Sequence, residues 1–254
     1  MHRAVAIIPA RYDSTRFPGK PLALLNGKPI IQHVYEHTAR ATLVDLTIVA
    51  TDDRRIYDYV KKFGGECVVT SGSHESGTDR IAEAAKDIDC DYVINVQGDE
   101  PFIKPQMIDD VVNLLYNDDK AAISTLAKRI TDKDEMISPH VVKVVTDDSG
   151  YALYFSRSPI PYYRDEWKDL NNIVIEENAT VVLKHLGIYG FRREALMNFT
   201  SMTKTRLEDI EKLEQLRALA AGMKIKVKET EYDTFGIDTK DDLRKAEEWQ
   251  SIYS

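Results

Sequence analysis

The chain has 254 residues, 30% of them charged and 43% hydrophobic, with a formal net charge of −8. That length leaves room for one large α/β domain or two small ones, in the composition of an ordinary folded protein rather than a fibrous or disordered one. The acidic balance argues against a nucleic-acid or anionic-membrane partner, but not against an anionic small ligand met by a local cluster of Arg and Lys.

No run approaches the ~20 apolar residues of a membrane span. The first apolar stretch passes straight into Arg11 without the core and cleavage site of a signal peptide, so the expected compartment is the cytoplasm. Cys67 and Cys90 are too few for a disulfide framework and read as reduced thiols in or near the core.

In chain order the first half alternates strand and helix patterns. Strands are expected at Val5–Ile8, Leu46–Ala50, Glu66–Val69, Tyr92–Val96 and Ala121–Leu126. Helices are expected at Lys28–Arg40, Arg54–Phe63, Asp79–Lys86 and near Gln106–Tyr116. This alternation predicts an α/β fold, a doubly wound and mostly parallel sheet with helices on both faces. The pattern then changes to a hairpin, Val141–Val145 and Tyr151–Phe155 around Asp147-Asp148-Ser149-Gly150. A strand follows at Val181–Phe191, then one long helix over Arg206–Ala221 stopped by Gly222. A strand at Lys224–Glu229 and a closing helix from about Lys240 finish the chain. The reading is a single domain over 1–254, with 127–190 a β-rich insertion of the kind used for dimerisation and substrate binding.

Four motifs bear on chemistry. Pro9-Ala10-Arg11-Tyr12-Asp13-Ser14-Thr15-Arg16-Phe17-Pro18-Gly19-Lys20 follows the first strand, at the sheet edge where open α/β sheets bind ligands. Its three cations suit a polyphosphate: Arg11 and Arg16 can fork phosphate oxygens and Lys20 adds a compact charge. It is neither a Walker loop nor a dinucleotide fingerprint. Gln97-Gly98-Asp99-Glu100 ends another strand at the same edge, where Asp99 is a candidate Mg²⁺ ligand beside substrate phosphates and Glu100 shapes the turn. In Gly236-Ile237-Asp238-Thr239, Thr239 and Asp242 form a capping box, leaving Asp238 unexplained by helix chemistry. Ser76-Gly77-Thr78-Asp79-Arg80 opens a helix, with Thr78 a plain N-cap and Arg80 set against the helix dipole.

The second half offers a less complete set. Alternation places His185, Gly187 and Tyr189 on one strand face, with a gap at the glycine. Arg157 ends a strand before Ser158-Pro159-Ile160-Pro161. On one continuous helix Glu214 falls on the apolar face near Arg217, as either its buried partner or a ligand to substrate hydroxyls. Glu208, Glu211 and Gln215 fall on a solvated face.

Together the segments IIPARYDSTRFPGKPL, IVATDD, HESGTDRIAE, INVQGDEP, VVKVV, YALYFSRSPIP, KHLGIYGFRREAL, LEQLRAL and GIDT resemble the 3-deoxy-manno-octulosonate (Kdo) cytidylyltransferases. They occur in that family's order from Ile7 to Thr239. The resemblance implies a nucleotidyltransferase fold, a homodimer, CTP and an acidic 2-keto-3-deoxy sugar as substrates, and Mg²⁺ as cofactor, in lipopolysaccharide or another glycan pathway. It implies that Ala10, Arg11, Ser14, Arg16, Lys20, Ser76, Thr78, Arg80 and Gln97 bind the nucleotide. Asp99 and Asp238 would hold metal and, with Arg11 and Lys20, act in catalysis. Arg157, His185, Tyr189, Glu214 and Gln215 would bind the sugar acid. Two stretches, Tyr162–Thr180 and Glu231–Phe235, carry no family signature, which leaves the ulosonic acid open, 8-amino-Kdo included. Competing readings are a sugar-1-phosphate nucleotidyltransferase, a metal-dependent glycosyltransferase and a nucleotide-binding regulator without turnover.

Overall fold

The computed structural model describes residues 2–13, 16–167 and 181–253. Strand β1 (Ala4–Ala10) is apolar at almost every position because both of its faces are covered. Ala4, Ala6, Ile8 and Ala10 enter one core, and Val5 and Ile7 the other, as expected of a central strand in a parallel sheet.

The chain leaves β1 through a short hairpin, β2 (Leu24–Leu25) and β3 (Lys28–Pro29), and helix α1 (Ile30–Thr38). It then lays down β4 (Leu46–Thr51), α2 (Arg54–Lys62) and β5 (Glu66–Val69) to one side of β1. Helix α3 (Gly77–Ala85) carries it to the other side, where β6 (Tyr92–Asn95) pairs parallel with β1. This reversal between β1 and β6 opens a crevice at the carboxyl ends of the two strands.

Helix α4 (Pro105–Tyr116), β7 (Ile123–Arg129), α5 (Lys133–Ile137), β8 (Lys143–Thr146) and β9 (Ala152–Ser156) follow. The chain continues through β10 (Leu183–Arg192), α6 (Arg193–Ser201), α7 (Arg206–Glu211), α8 (Gln215–Ala220), β11 (Ile225–Glu229) and α9 (Lys240–Tyr253). Among the described residues the main sheet runs β11-β7-β10-β6-β1-β4-β5, with β8 paired to β10 and β9 to β8. Strand β10 enters antiparallel between β6 and β7, while β7 and β11 pair parallel. One face is covered by α1, α2, α4 and α9, the other by α3, α6 and α8.

The doubly wound reading is therefore right in architecture, and the differences are local. The 127–190 span begins inside β7 and ends inside β10, both strands of the main sheet. Among the described residues between them lie α5 and the β8–β9 hairpin, which extends the same sheet from the edge of β10. The hairpin turns on Gly150, at φ 77, where a glycine avoids the left-handed penalty. Lys143 is wholly buried, its Nζ donating to the carbonyls of Ser138, Val141 and Arg157 at 2.7–2.8 Å. Helices α5 and α6 lie outside the expected set.

The long helix expected over Arg206–Ala221 is two short ones. Lys212 adopts φ 53, ψ 48 and ends α7, and α8 restarts at Gln215 on a new phase. The expected faces consequently do not hold. Leu207 and Ile210 are exposed, whereas Glu208, read as solvated, is 5% exposed.

Candidate active site

Gly98 sets the geometry of the crevice. A Cβ there would stand 2.6 Å from the Pro9 carbonyl oxygen, so only glycine lets the loop after β6 lie against the end of β1. Next to it the Ile237 N–H donates to the Asp99 carbonyl at 2.9 Å. That backbone bond brings Asp238, 139 positions downstream in sequence, beside Asp99. The capping box expected of Thr239 is present, its Oγ1 accepting from the Asp242 N–H at 3.1 Å while Asp242 accepts from the Thr239 N–H at 2.8 Å.

The result is a cleft of about 290 Å³ lined by Ala10, Arg11, Arg16, Lys20, His74, Ser76, Arg80, Gln97, Asp99 and Asp238 among others. Lys20 stands at its centre, with Nζ 2.6 Å from Asp99 Oδ2 and 3.1 Å from Asp238 Oδ1. Arg16 reaches the other oxygen of Asp238 at 3.1 Å. Gly19, at φ 74, turns the loop so that Lys20 points inward, and its N–H donates to the Tyr12 carbonyl at 2.8 Å. Ser14 lies outside the described residues.

Ser76, not Thr78, caps α3: its Oγ accepts from the Asp79 N–H at 3.1 Å. The expectation for Thr78 is corrected by two residues, because Gly77 already has helical geometry. Thr78 instead lines a small pocket with Glu214. Arg80 is 3% exposed and tied to Thr70 Oγ1 at 2.6 Å and Asp52 Oδ1 at 3.1 Å. Asp52 compensates the unfavourable dipole position of Arg80 and is a residue that the sequence did not single out. Glu100 is buried with Oε2 lacking a hydrogen-bond partner, and burial, then Asp99 and Asp233, pushes its carboxyl up to about 8.

On the far side of Gln97 the candidate sugar residues gather unequally. Gln97 Nε2 approaches the Gly187 carbonyl at 3.4 Å, and a Cβ at Gly187 would meet Glu100 and Gln97 at 3.5 and 3.8 Å. His185 and Tyr189 share a face, ring centroids 5.1 Å apart, across an irregularity of β10 between Leu186 and Tyr189. His185 Nε2 is 2.9 Å from Thr125 Oγ1, and burial lowers the imidazole to about 3. Tyr189, Glu214 and Gln215 line one small pocket with Thr78. Burial raises the Glu214 carboxyl, opposed by Thr78 and by Arg217.

Of the two alternatives for Glu214, the structure does not form the buried pair with Arg217, whose ion-pair partner is Glu208. Arg217 Nε lies 3.2 Å from Glu208, both side chains buried, and its guanidinium lies 4.3 Å over the Phe199 ring. Arg157 stands apart from the pocket. Its guanidinium donates to the carbonyls of Glu211 at 2.7 Å and Pro139 at 2.8 Å, at the end of α7.

Two carboxylates from distant segments already converge on one cation, the Lys20 ammonium. Mg²⁺ is bound by one or two carboxylates plus substrate phosphates, so Asp99 and Asp238 fit that ion. No cluster of three or more His, Cys, Asp or Glu side chains suited to a metal occurs among the described residues.

A doubly wound sheet with a cationic loop and paired carboxylates at its switch point defines a nucleotidyltransferase. The family model for cytidylyltransferases matches residues 5–225. The chain is 54% identical over 244 residues to the 3-deoxy-manno-octulosonate cytidylyltransferase of Trichlorobacter lovleyi, covering 96% of this chain and 97% of that one. It is 52% identical to the protein of the same name from Geobacter metallireducens, covering 97% of each. The solved structure of a CMP:2-keto-3-deoxy-manno-octonic acid synthetase complexed with CTP matches with a TM-score of 0.91 at 41% identity, over 99% of this chain and 100% of that one. The chain belongs to the 3-deoxy-manno-octulosonate cytidylyltransferase family. Among the described residues no helix is long and apolar enough to cross a membrane.

Proposed function

We propose that the protein transfers CMP from CTP to the anomeric hydroxyl of 3-deoxy-manno-octulosonate, releasing pyrophosphate. The single observation that carries this is Lys20 held between Asp99 and Asp238 in a cleft also lined by Arg11, Arg16 and Arg80. Such a site balances a triphosphate while keeping two carboxylates at the same edge.

The hydroxyl oxygen attacks the α-phosphorus in line as the bond to the β-phosphate oxygen breaks, so positioning and charge neutralisation dominate. Arg11, Arg16 and Lys20 hold the phosphates and balance the leaving pyrophosphate. Ser76 and Arg80 sit on the nucleoside side, and Gln97 at the junction with the acceptor. Asp99 and Asp238 would hold Mg²⁺, which when bound supplies a Lewis acid for the phosphate oxygens. The Lys20 ammonium would then give up part of its carboxylate contact for phosphate.

His185, Tyr189, Glu214 and Gln215 bind the sugar acid beyond Gln97 in this reading. Arg157 acts on that side through the α7 terminus that it grips. The reaction in the cytoplasm, the homodimer through the β8–β9 hairpin and the service to lipopolysaccharide biosynthesis belong to the same proposal.

The test is pyrophosphate release with CTP and Mg²⁺ across Kdo, 8-amino-Kdo, a sialic acid and glucose 1-phosphate. Release with Kdo well above the others is the expected result. Release only with glucose 1-phosphate would replace the acceptor half of the reading.

A further inference from the structure

His74 lines the cleft beside Ser76 and Arg80 and has no part in the roles given above. Its side chain is 20% exposed and its Nε2 lies against Glu83 Oε2. The Glu83 carboxylate also accepts from the Ser71 N–H at 3.1 and 3.2 Å. One carboxylate of α3 therefore holds both ends of the 71–74 turn, and the His74 hydrogen bond keeps that carboxyl below its usual range. The turn is seated on the strand ends: a Cβ at Gly72 would be 3.3 Å from Asp52 Oδ2, and Asp52 pairs with Arg80.

A carboxylate accepting at Nε2 holds a ring proton there, which leaves Nδ1 as the nitrogen with a lone pair in the neutral tautomer. Arg16, Lys20, Asp99 and Asp238 occupy the β1–β6 side of the cleft. A triphosphate anchored among them directs the nucleoside to the opposite side, where Asp52 and Thr70 follow the ends of β4 and β5 and the 71–76 loop stands. Cytosine presents an amino donor at ring position 4, where uracil presents an acceptor carbonyl. A lone pair at Nδ1 pairs with the first and opposes the second.

On the cytidylyltransferase reading given above, we propose that His74, oriented by Glu83, accepts a hydrogen bond from the 4-amino group of cytosine and sets the preference for CTP over UTP. A site built around such a bond rejects the analogue because its own polar group is left unpaired.

The experiment is kcat/KM for CTP and for UTP, with Kdo and Mg²⁺ saturating, in the wild type, His74→Phe and Glu83→Gln. His74→Phe is expected to reduce the CTP:UTP ratio at least about tenfold, a factor worth ~1.4 kcal/mol, chiefly through CTP. Glu83→Gln keeps an acceptor oxygen for His74 and is expected to retain most of the ratio. An unchanged ratio in His74→Phe overturns the proposal.

Should His74→Phe not fold, ¹⁵N spectra of the wild-type imidazoles decide. The His74 Nδ1 resonance is expected to move with CTP and not with UTP, and an identical response to both overturns the assignment. Absence of pyrophosphate release by the wild type with CTP and Kdo would instead strike the reaction proposed above. The nitrogen spectra would still judge His74 separately.

Discussion

The two sides of the active face are assembled by different means. On the nucleotide side, Arg11, Gln97 and Asp99 follow closely on strand ends, and the sheet carries them to one edge. On the acceptor side, Glu214, Gln215 and Arg217 depend on the phase of a helical segment, and Arg157 on packing between loops. A strand end fixes its neighbours through a ladder of backbone bonds that sequence patterns reveal. A helix phase is lost with a single left-handed residue, here Lys212. Chemistry placed at strand ends is thus more legible, and less easily re-aimed, than chemistry placed on short helices.

That contrast can be broken at several points. The largest effect is expected at the centre of the nucleotide side, where Lys20→Met should lower kcat/KM about 10³-fold, the scale of a lost preorganised electrostatic contact. Steady-state kinetics with circular dichroism as a check on folding would test this. On the helix side the expected cost is in stability rather than chemistry. Arg217→Met strands the buried Glu208 carboxylate and should cost about 3 kcal/mol in urea unfolding, with a smaller loss of turnover in the folded fraction.

His185 gives a pH signature. Its folded value of about 3 lies below the ordinary histidine value of about 6.5. The unfolded chain therefore takes up the proton first, and stability falls as pH drops from about 6.5 toward 3. By pH 5 this amounts to at most ~2 kcal/mol. Denaturant midpoints should decline on acidification in the wild type and decline less in His185→Gln. The smallest effect has the opposite sign: Lys212→Gly removes a left-handed penalty of ~1 kcal/mol and should raise the melting temperature slightly. A fall would mean that the Lys212 side chain contributes more than its backbone strain costs.

Most of the fold was legible because the burial of β1, β4 and β6 on both faces leaves continuous apolar runs between turn signals. Strand β10 was foreseen as a strand, but not its antiparallel entry between β6 and β7, since register and direction are long-range properties. The pairing of Asp238 with Asp99 was reached only through family resemblance. The bond that creates it, from Ile237 N–H to the Asp99 carbonyl, involves backbone atoms with no trace in residue type. Asp52 and Glu83 left no signal either: one lies just before α2 and the other in the last turn of α3, and their partners, Arg80 and His74, are revealed by the folded chain.

The most direct test of the central claim, that the carboxylates of Asp99 and Asp238 paired in the cleft drive the transfer, is a Mg²⁺ titration of turnover in Asp99→Asn beside the wild type. The account predicts no recovery at saturating Mg²⁺ in a variant whose melting shows a native fold. Wild-type turnover in that variant would contradict it.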